Sequence, residues 1–276
     1  MNRSLMGQLV LIFLITQAVG LFAGNYLVNN DISVPIVNEN KESFDNSIGL
    51  FVWILVSTLI LLGLIAFAPP WLFSIIIKAI ETLAVFSTAI IVMAPTEPPE
   101  IIWYGVALIL VALRLAFSKN ILLRNISSVV ASAGAGALIG ASLGVLPILV
   151  FLILLSIYDF IAVFKTKHMV KLAKSFTGKN LAFTFALPTK EHQFELGTGD
   201  IVIPLTFAVG LLAEAKGAFA YPYYLIPSIA VLAASLAGLL ITLDYASRHK
   251  GVPLPALPLQ AVMMVIVFII LKIGGF

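Results

Sequence analysis

The chain has 276 residues, 61% of them hydrophobic and only 11% charged, with a mean hydropathy of +1.11, whereas a soluble domain carries about a quarter charged residues. That balance excludes an ordinary soluble enzyme and indicates an integral membrane protein. The apolar runs are long and continuous, which excludes the alternating strands of a barrel and leaves helices. Cysteine is absent, so disulfides and thiolate chemistry are excluded, and a net charge of +3 needs no nucleic acid if the basic residues lie beside anionic lipid.

Windows of about 20 residues able to cross the hydrocarbon predict nine transmembrane helices, at 5–28, 48–68, 71–94, 101–117, 126–145, 147–164, 196–213, 222–243 and 258–274. The expected fold class is therefore an all-α membrane protein. The first run is too long for the core of a signal peptide and reads as a retained span. The fifth, ISSVVASAGAGALIGASLGV, is rich in small residues that let neighbouring helices approach closely. Glycines and Pro204 interrupt the seventh. Residues 1–164 form a six-helix portion, 165–195 a basic connection and 196–276 a three-helix portion of one integrated membrane domain.

Orientation follows from the basic residues of the connections. With the N-terminus cytoplasmic, Arg3, Arg114, Lys119, Arg124, Lys165, Lys167, Lys171, Lys174, Lys179, Lys190, Arg248 and Lys250 fall inside, and only Lys41, Lys216 and Lys272 fall outside. The expectation is a multi-pass protein of the cell membrane with its C-terminus outside.

Charges within the spans are few. Lys78 and Glu81 share a helical face and read as a self-neutralising pair or as ends reaching back to the interface. Glu214 and Lys216 sit near an outer boundary. Asp159, in LVFLILLSIYDFIAVF, has no basic residue within one helical turn. At a rise of about 1.5 Å per residue it lies about 8 Å below the inner boundary, and Asp200, near the start of the antiparallel seventh span, about 6 Å below it. Asp200 is therefore expected to face Asp159. Two such carboxylates share a proton and titrate as a unit. One can take a proton from attacking water while the other donates to a carbonyl oxygen. Proton-coupled transport also uses buried carboxylates, so the pair alone leaves both readings open.

Gly197 and Gly199, just before Asp200, leave room for another backbone to approach. Hydrolysis needs this, because a substrate helix must be unwound before its carbonyls can be attacked. KGVPLPALPLQAVMM carries Pro253, Pro255 and Pro258, a density that prevents an ordinary helix and leaves neighbouring carbonyls unclaimed. Irregular backbone at membrane depth is tolerated where it is buried in protein or lines a wet cavity.

Tyr158-Asp159, Gly197-Thr198-Gly199-Asp200 and Pro255-Ala256-Leu257 resemble the YD, GxGD and PAL motifs of the presenilin and signal peptide peptidase family of intramembrane aspartyl proteases. Their order and their placement on spans six, seven and nine agree, so the likeness covers the whole chain. Pro258 and the inferred orientation look more like presenilin, as in a microbial homologue. The resemblance implies that Asp159 and Asp200 are catalytic and that Tyr158, Gly197, Thr198, Gly199, Pro255, Ala256 and Leu257 shape the site and help hold substrate. It implies transmembrane-helix peptides as substrates, no cofactor or metal, and a single chain that works without the accessory subunits of gamma-secretase. Thr198 departs from the pattern, since presenilins usually carry leucine there.

Within the connection, KTKHMVKLAKSFTGKN is basic and amphipathic and reads as a helix extension on the inner leaflet. LAFTFALP alternates Phe183 and Phe185 with Ala182, Thr184 and Ala186 until Pro188, a strand pattern that would let 181–187 pair with an unwound substrate. His168, His192 and His249 are scattered over inner connections and read as solvated surface residues. Two other readings stay in play: an ion channel or proton-coupled transporter built around the carboxylate pair, and a prepilin-type peptidase, which shares GxGD but does not explain the PAL-like segment.

Overall fold

The computed structural model describes residues 3–97, 99–165, 181, 183–188, 193–248 and 255–276. Nine α-helices lie among the described residues. They are α1 (Arg3–Asn29), α2 (Phe44–Phe67), α3 (Pro70–Met93), α4 (Glu100–Ala116), α5 (Ile121–Ser142), α6 (Val145–Phe164), α7 (Gly199–Lys216), α8 (Ile226–Arg248) and α9 (Leu257–Ile273). A hairpin of β1 (Thr184–Pro188) and β2 (Gln193–Gly197) separates α6 from α7. Six helices, α1, α2, α3, α5, α6 and α8, are long and apolar enough to cross a membrane. α4 and α9 are apolar but have 17 residues each, and α7 carries Asp200, Glu214 and Lys216.

Local chemistry sets the helix starts. Ser43 caps α2 by accepting from the Asp45 N–H. Pro70 opens α3, where a missing N–H costs nothing. Asn120 caps α5, its side chain accepting from the N–H groups of Leu122 and Leu123. That cap starts α5 at Ile121, ahead of the expected 126, so Arg124 and Asn125 belong to a helix instead of a connection. α7 begins at Gly199, later than the expected 196, because the preceding residues form β2.

α5 is the hub of the bundle, packed against α1, α3 and α7. Its glycines make this possible. A Cβ at Gly134 would stand 2.7 Å from the Thr88 carbonyl of α3, and one at Gly140 would stand 2.6 Å from the Thr206 carbonyl of α7. Backbone cannot yield as a flexible side chain can, so Gly140→Val is expected to lower stability by about 1–3 kcal/mol or more, read as a lower thermal midpoint of the purified protein. An unchanged midpoint would show that α5 and α7 separate freely.

The expected Lys78–Glu81 pair is not formed. Glu81 is bound across helices by Arg114 of α4, with Nε and Nη2 each 3.0 Å from Oε1, and both residues are only 6% exposed. An i,i+3 neighbour shares a helical face, but an arginine from the adjacent helix brings a planar fork and leaves Lys78 exposed. At the other end of the bundle, Lys272 of α9 meets Glu214 of α7 at 2.7 Å, and Lys216 donates to Asn29 of α1.

Candidate active site

Asp159 sits one turn before the end of α6, 9% exposed. α6 packs against α2, α7 and α9. The ring of neighbouring Tyr158 meets Phe51 of α2 edge-on, with centroids 6.1 Å apart. The Asp159 carboxyl accepts a hydrogen bond from the backbone N–H of Leu257. Leu257 is the first residue of α9, and first-turn N–H groups have no partner within their own helix. The helix start thus presents a donor and the positive end of its dipole to the acid. Ala256 and Leu257 are buried and Pro255 half-buried, while Pro258 occupies the first turn of α9.

Asp200 is half-buried in the first turn of α7, close enough to Asp159 to feel its charge. Gly197 and Gly199 are exposed. A Cβ at Gly197 would come 3.7 Å from Asp200 Oδ2, and one at Gly199 would meet nothing. The structure therefore brings together Asp159, Asp200, Leu257 and Gly197. Thr198 is turned to the hairpin, where its N–H and hydroxyl both donate to the Phe183 carbonyl, at 3.2 and 3.1 Å.

The strand pattern of LAFTFALP is present, but its partner is this chain's own β2, antiparallel with Phe185 opposite Leu196 and Ala186 opposite Glu195. The outer edge of β1 is also taken. Asn125 of α5 donates to the Ala186 carbonyl and accepts from its N–H, both at 2.8 Å, as a neighbouring strand would. Ser128 donates to the Thr184 carbonyl at 3.2 Å and Gln8 of α1 to the Pro188 carbonyl at 3.1 Å. The expected pairing of 181–187 with substrate is thus overturned, since both sides of β1 are engaged.

Composition alone did not point to Gln8, Gln17, Arg124 or Asn125. Gln17 of α1, 3% exposed, donates to the Ile201 carbonyl at 3.0 Å, beside the ladder position that Pro204 weakens in α7. A signal existed in each case, because these are polar side chains on otherwise apolar helices. His168, His192, His249, Pro253 and the amphipathic segment 166–180 lie outside the described residues.

Residues 10–274 match the family described as signal-peptide peptidase, presenilin aspartyl protease. The chain belongs to this family. As an intramembrane aspartyl protease it shares its fold with two solved structures of a presenilin family intramembrane aspartate protease. The C222 crystal form has a TM-score of 0.71 at 22% identity, covering 96% of this chain and 97% of that one. The P2 form has a TM-score of 0.65 at 22% identity, covering 94% of each chain. No curated protein sequence matches. Nothing in these comparisons supports the channel or transporter reading.

Proposed function

We propose that Asp159 and Asp200 are the catalytic pair of this aspartic endopeptidase and that it hydrolyses peptide bonds within transmembrane helices. The observation that carries the reading is two aspartates from separate helices within electrostatic reach, with a helix N-terminus donating to one of them. The pair holds one proton. The ionised carboxylate takes a proton from water as the water oxygen bonds to the scissile carbonyl carbon, and the protonated carboxyl gives its own to the carbonyl oxygen. The diol then collapses: the C–N bond breaks, the amine nitrogen receives a proton from the protonated carboxyl, a diol hydroxyl returns its proton to the ionised carboxylate as the product carboxyl forms, and the dyad is reset.

Substrate must arrive unwound. With β1 engaged on both sides, we place strand pairing on β2. The bond from Thr198 N–H to Phe183 makes their pairing a hydrogen-bonded one, so by antiparallel alternation the N–H of Gly197 faces outward, next to Asp200. We assign Tyr158, Gly199, Pro255, Ala256 and Leu257, which neighbour the two aspartates in sequence or at Asp159, to shaping the site around it. Entry from the bilayer is placed beside α2, because the buried residues of α2 are only Asn46 and Ser47 at its start. The basic connections put the dyad end of the bundle on the cytoplasmic side, with the C-terminus outside, and the chain acts without accessory subunits.

The test is the purified protein in detergent or bilayers with a reporter transmembrane peptide, its fragments identified by mass spectrometry. Cleavage blocked by a transition-state mimic of aspartyl proteases is the expected result. Dyad-dependent ion flux in liposomes without cleavage would sink the reading. For the β2 placement, Gly197→Pro removes the outward N–H and is expected to stop cleavage of a helical substrate, whereas Gly197→Ala keeps it. Undiminished cleavage by Gly197→Pro would move the pairing elsewhere.

A further inference from the structure

A two-stranded hairpin is marginal by itself in water, yet this one carries the residues leading to Asp200. Arg124 of α5 is 2% exposed and among the largest fully enclosed side chains. Its Nε donates to the Leu181 carbonyl at 3.0 Å and to the Thr184 carbonyl at 3.3 Å. Its Nη2 donates to the Thr184 hydroxyl and lies 3.2 Å from Glu195 Oε1. The Thr184 hydroxyl in turn donates to Glu195 Oε2 at 3.3 Å. One guanidinium thus ties β1 to β2 and both to a transmembrane helix. Asn125, one residue on, closes the β1 edge, and Thr198 staples the end nearest the dyad.

These partners all come from this chain, so no substrate strand is needed to complete the hairpin. Burying a guanidinium is unfavourable unless its donors are satisfied, and here the satisfying groups include both strands, through Thr184 and Glu195, and the Leu181 carbonyl just before β1. The hairpin cannot leave α5 without stranding that charge.

We propose that Arg124 is a positioning residue that keeps the hairpin folded between turnovers, so that substrate meets a formed strand already joined to Asp200. The inference rests on the assignment of Asp200 above. It predicts a defined kinetic signature. Without the clamp only a fraction of molecules holds the hairpin, and apparent affinity falls by that fraction. Saturating substrate, by pairing with β2, restores the hairpin, and turnover at each intact site survives.

The experiment measures KM and kcat for the reporter transmembrane peptide, with active sites counted by titration with a tight transition-state mimic. Arg124→Gln is expected to raise KM about fivefold or more with kcat per site within about twofold, and Arg124→Lys, which keeps the charge but not the fork, to raise it less. Thr184→Val keeps a strand-forming side chain and removes the hydroxyl link, so it is expected to shift KM the same way even if Arg124→Gln fails to fold. Amide hydrogen exchange at Phe185 and Leu187 without substrate should quicken in parallel. A purely structural role would reduce the number of titratable sites and leave KM unchanged, and that result overturns the proposal. Activity surviving Asp200→Asn would instead overturn the dyad assignment. An unmoved KM together with an inactive Asp200→Asn removes only the clamp.

Discussion

Asp159→Asn and Asp200→Asn are each expected to reduce cleavage of a transmembrane peptide by about 10³-fold or more, since a positioned acid or base contributes about 10²–10⁴. Asparagine has nearly the shape of aspartate, so the loss should come from the proton and not from packing. Asp159 is buried and receives the Leu257 N–H, a bond that the asparagine carbonyl oxygen can still accept. In the proposed mechanism the two carboxyls act as one unit, so the double variant should be no worse than either single one. Mass spectrometry of fragments at equal protein concentration checks the first part, and unchanged thermal midpoints check that folding is intact. Residual cleavage in both single variants, at more than a few per cent of the parent rate, would remove these residues from the chemistry.

The existence of nine helices was legible because uninterrupted apolar stretches have few alternatives in lipid. Their ends were less so. Arg124 and Asn125 looked like a connection because polar residues near a span boundary usually meet water. Here they meet the backbone of β1, which needs the donors and acceptors that lipid cannot supply. QFELG was divided, Gln193 to Glu195 falling in the basic connection and Leu196 and Gly197 in the seventh span, because a window wide enough to find a helix averages over a short strand, although the alternation in LAFTFALP did announce its partner β1. The facing aspartates followed from depth along two antiparallel helices. The donor to Asp159 could not be read, because it is a backbone N–H of Leu257 and every residue except proline has one.

The Lys78–Glu81 spacing shows the same limit, since it finds neighbours on one helix and is blind to Arg114 on the next. Glu81 and Arg114 also border a cavity of about 250 Å³ with Ser74, Lys78, Ser118 and Lys119, in which Glu81 is the sole acidic lining residue among the described residues. Removing one member of a buried pair strands the other, at about 3–5 kcal/mol. The two halves should not be equal, however. In Arg114→Met, Glu81 can recruit Lys78, three residues earlier on the same helical face. In Glu81→Leu, the Arg114 guanidinium keeps the Ser118 carbonyl, 2.7 Å from Nη1, and the described lining offers no second carboxylate in exchange for Glu81. Glu81→Leu is therefore expected to be the more damaging substitution, and Glu81→Leu with Arg114→Met together close to the parent, because neither charge is then buried alone. Thermal unfolding of the three purified variants measures this. If Arg114→Met proves the worse single change, Lys78 does not reach Glu81, and if the double variant is as unstable as Glu81→Leu, the fork geometry itself stabilises the α3–α4 contact.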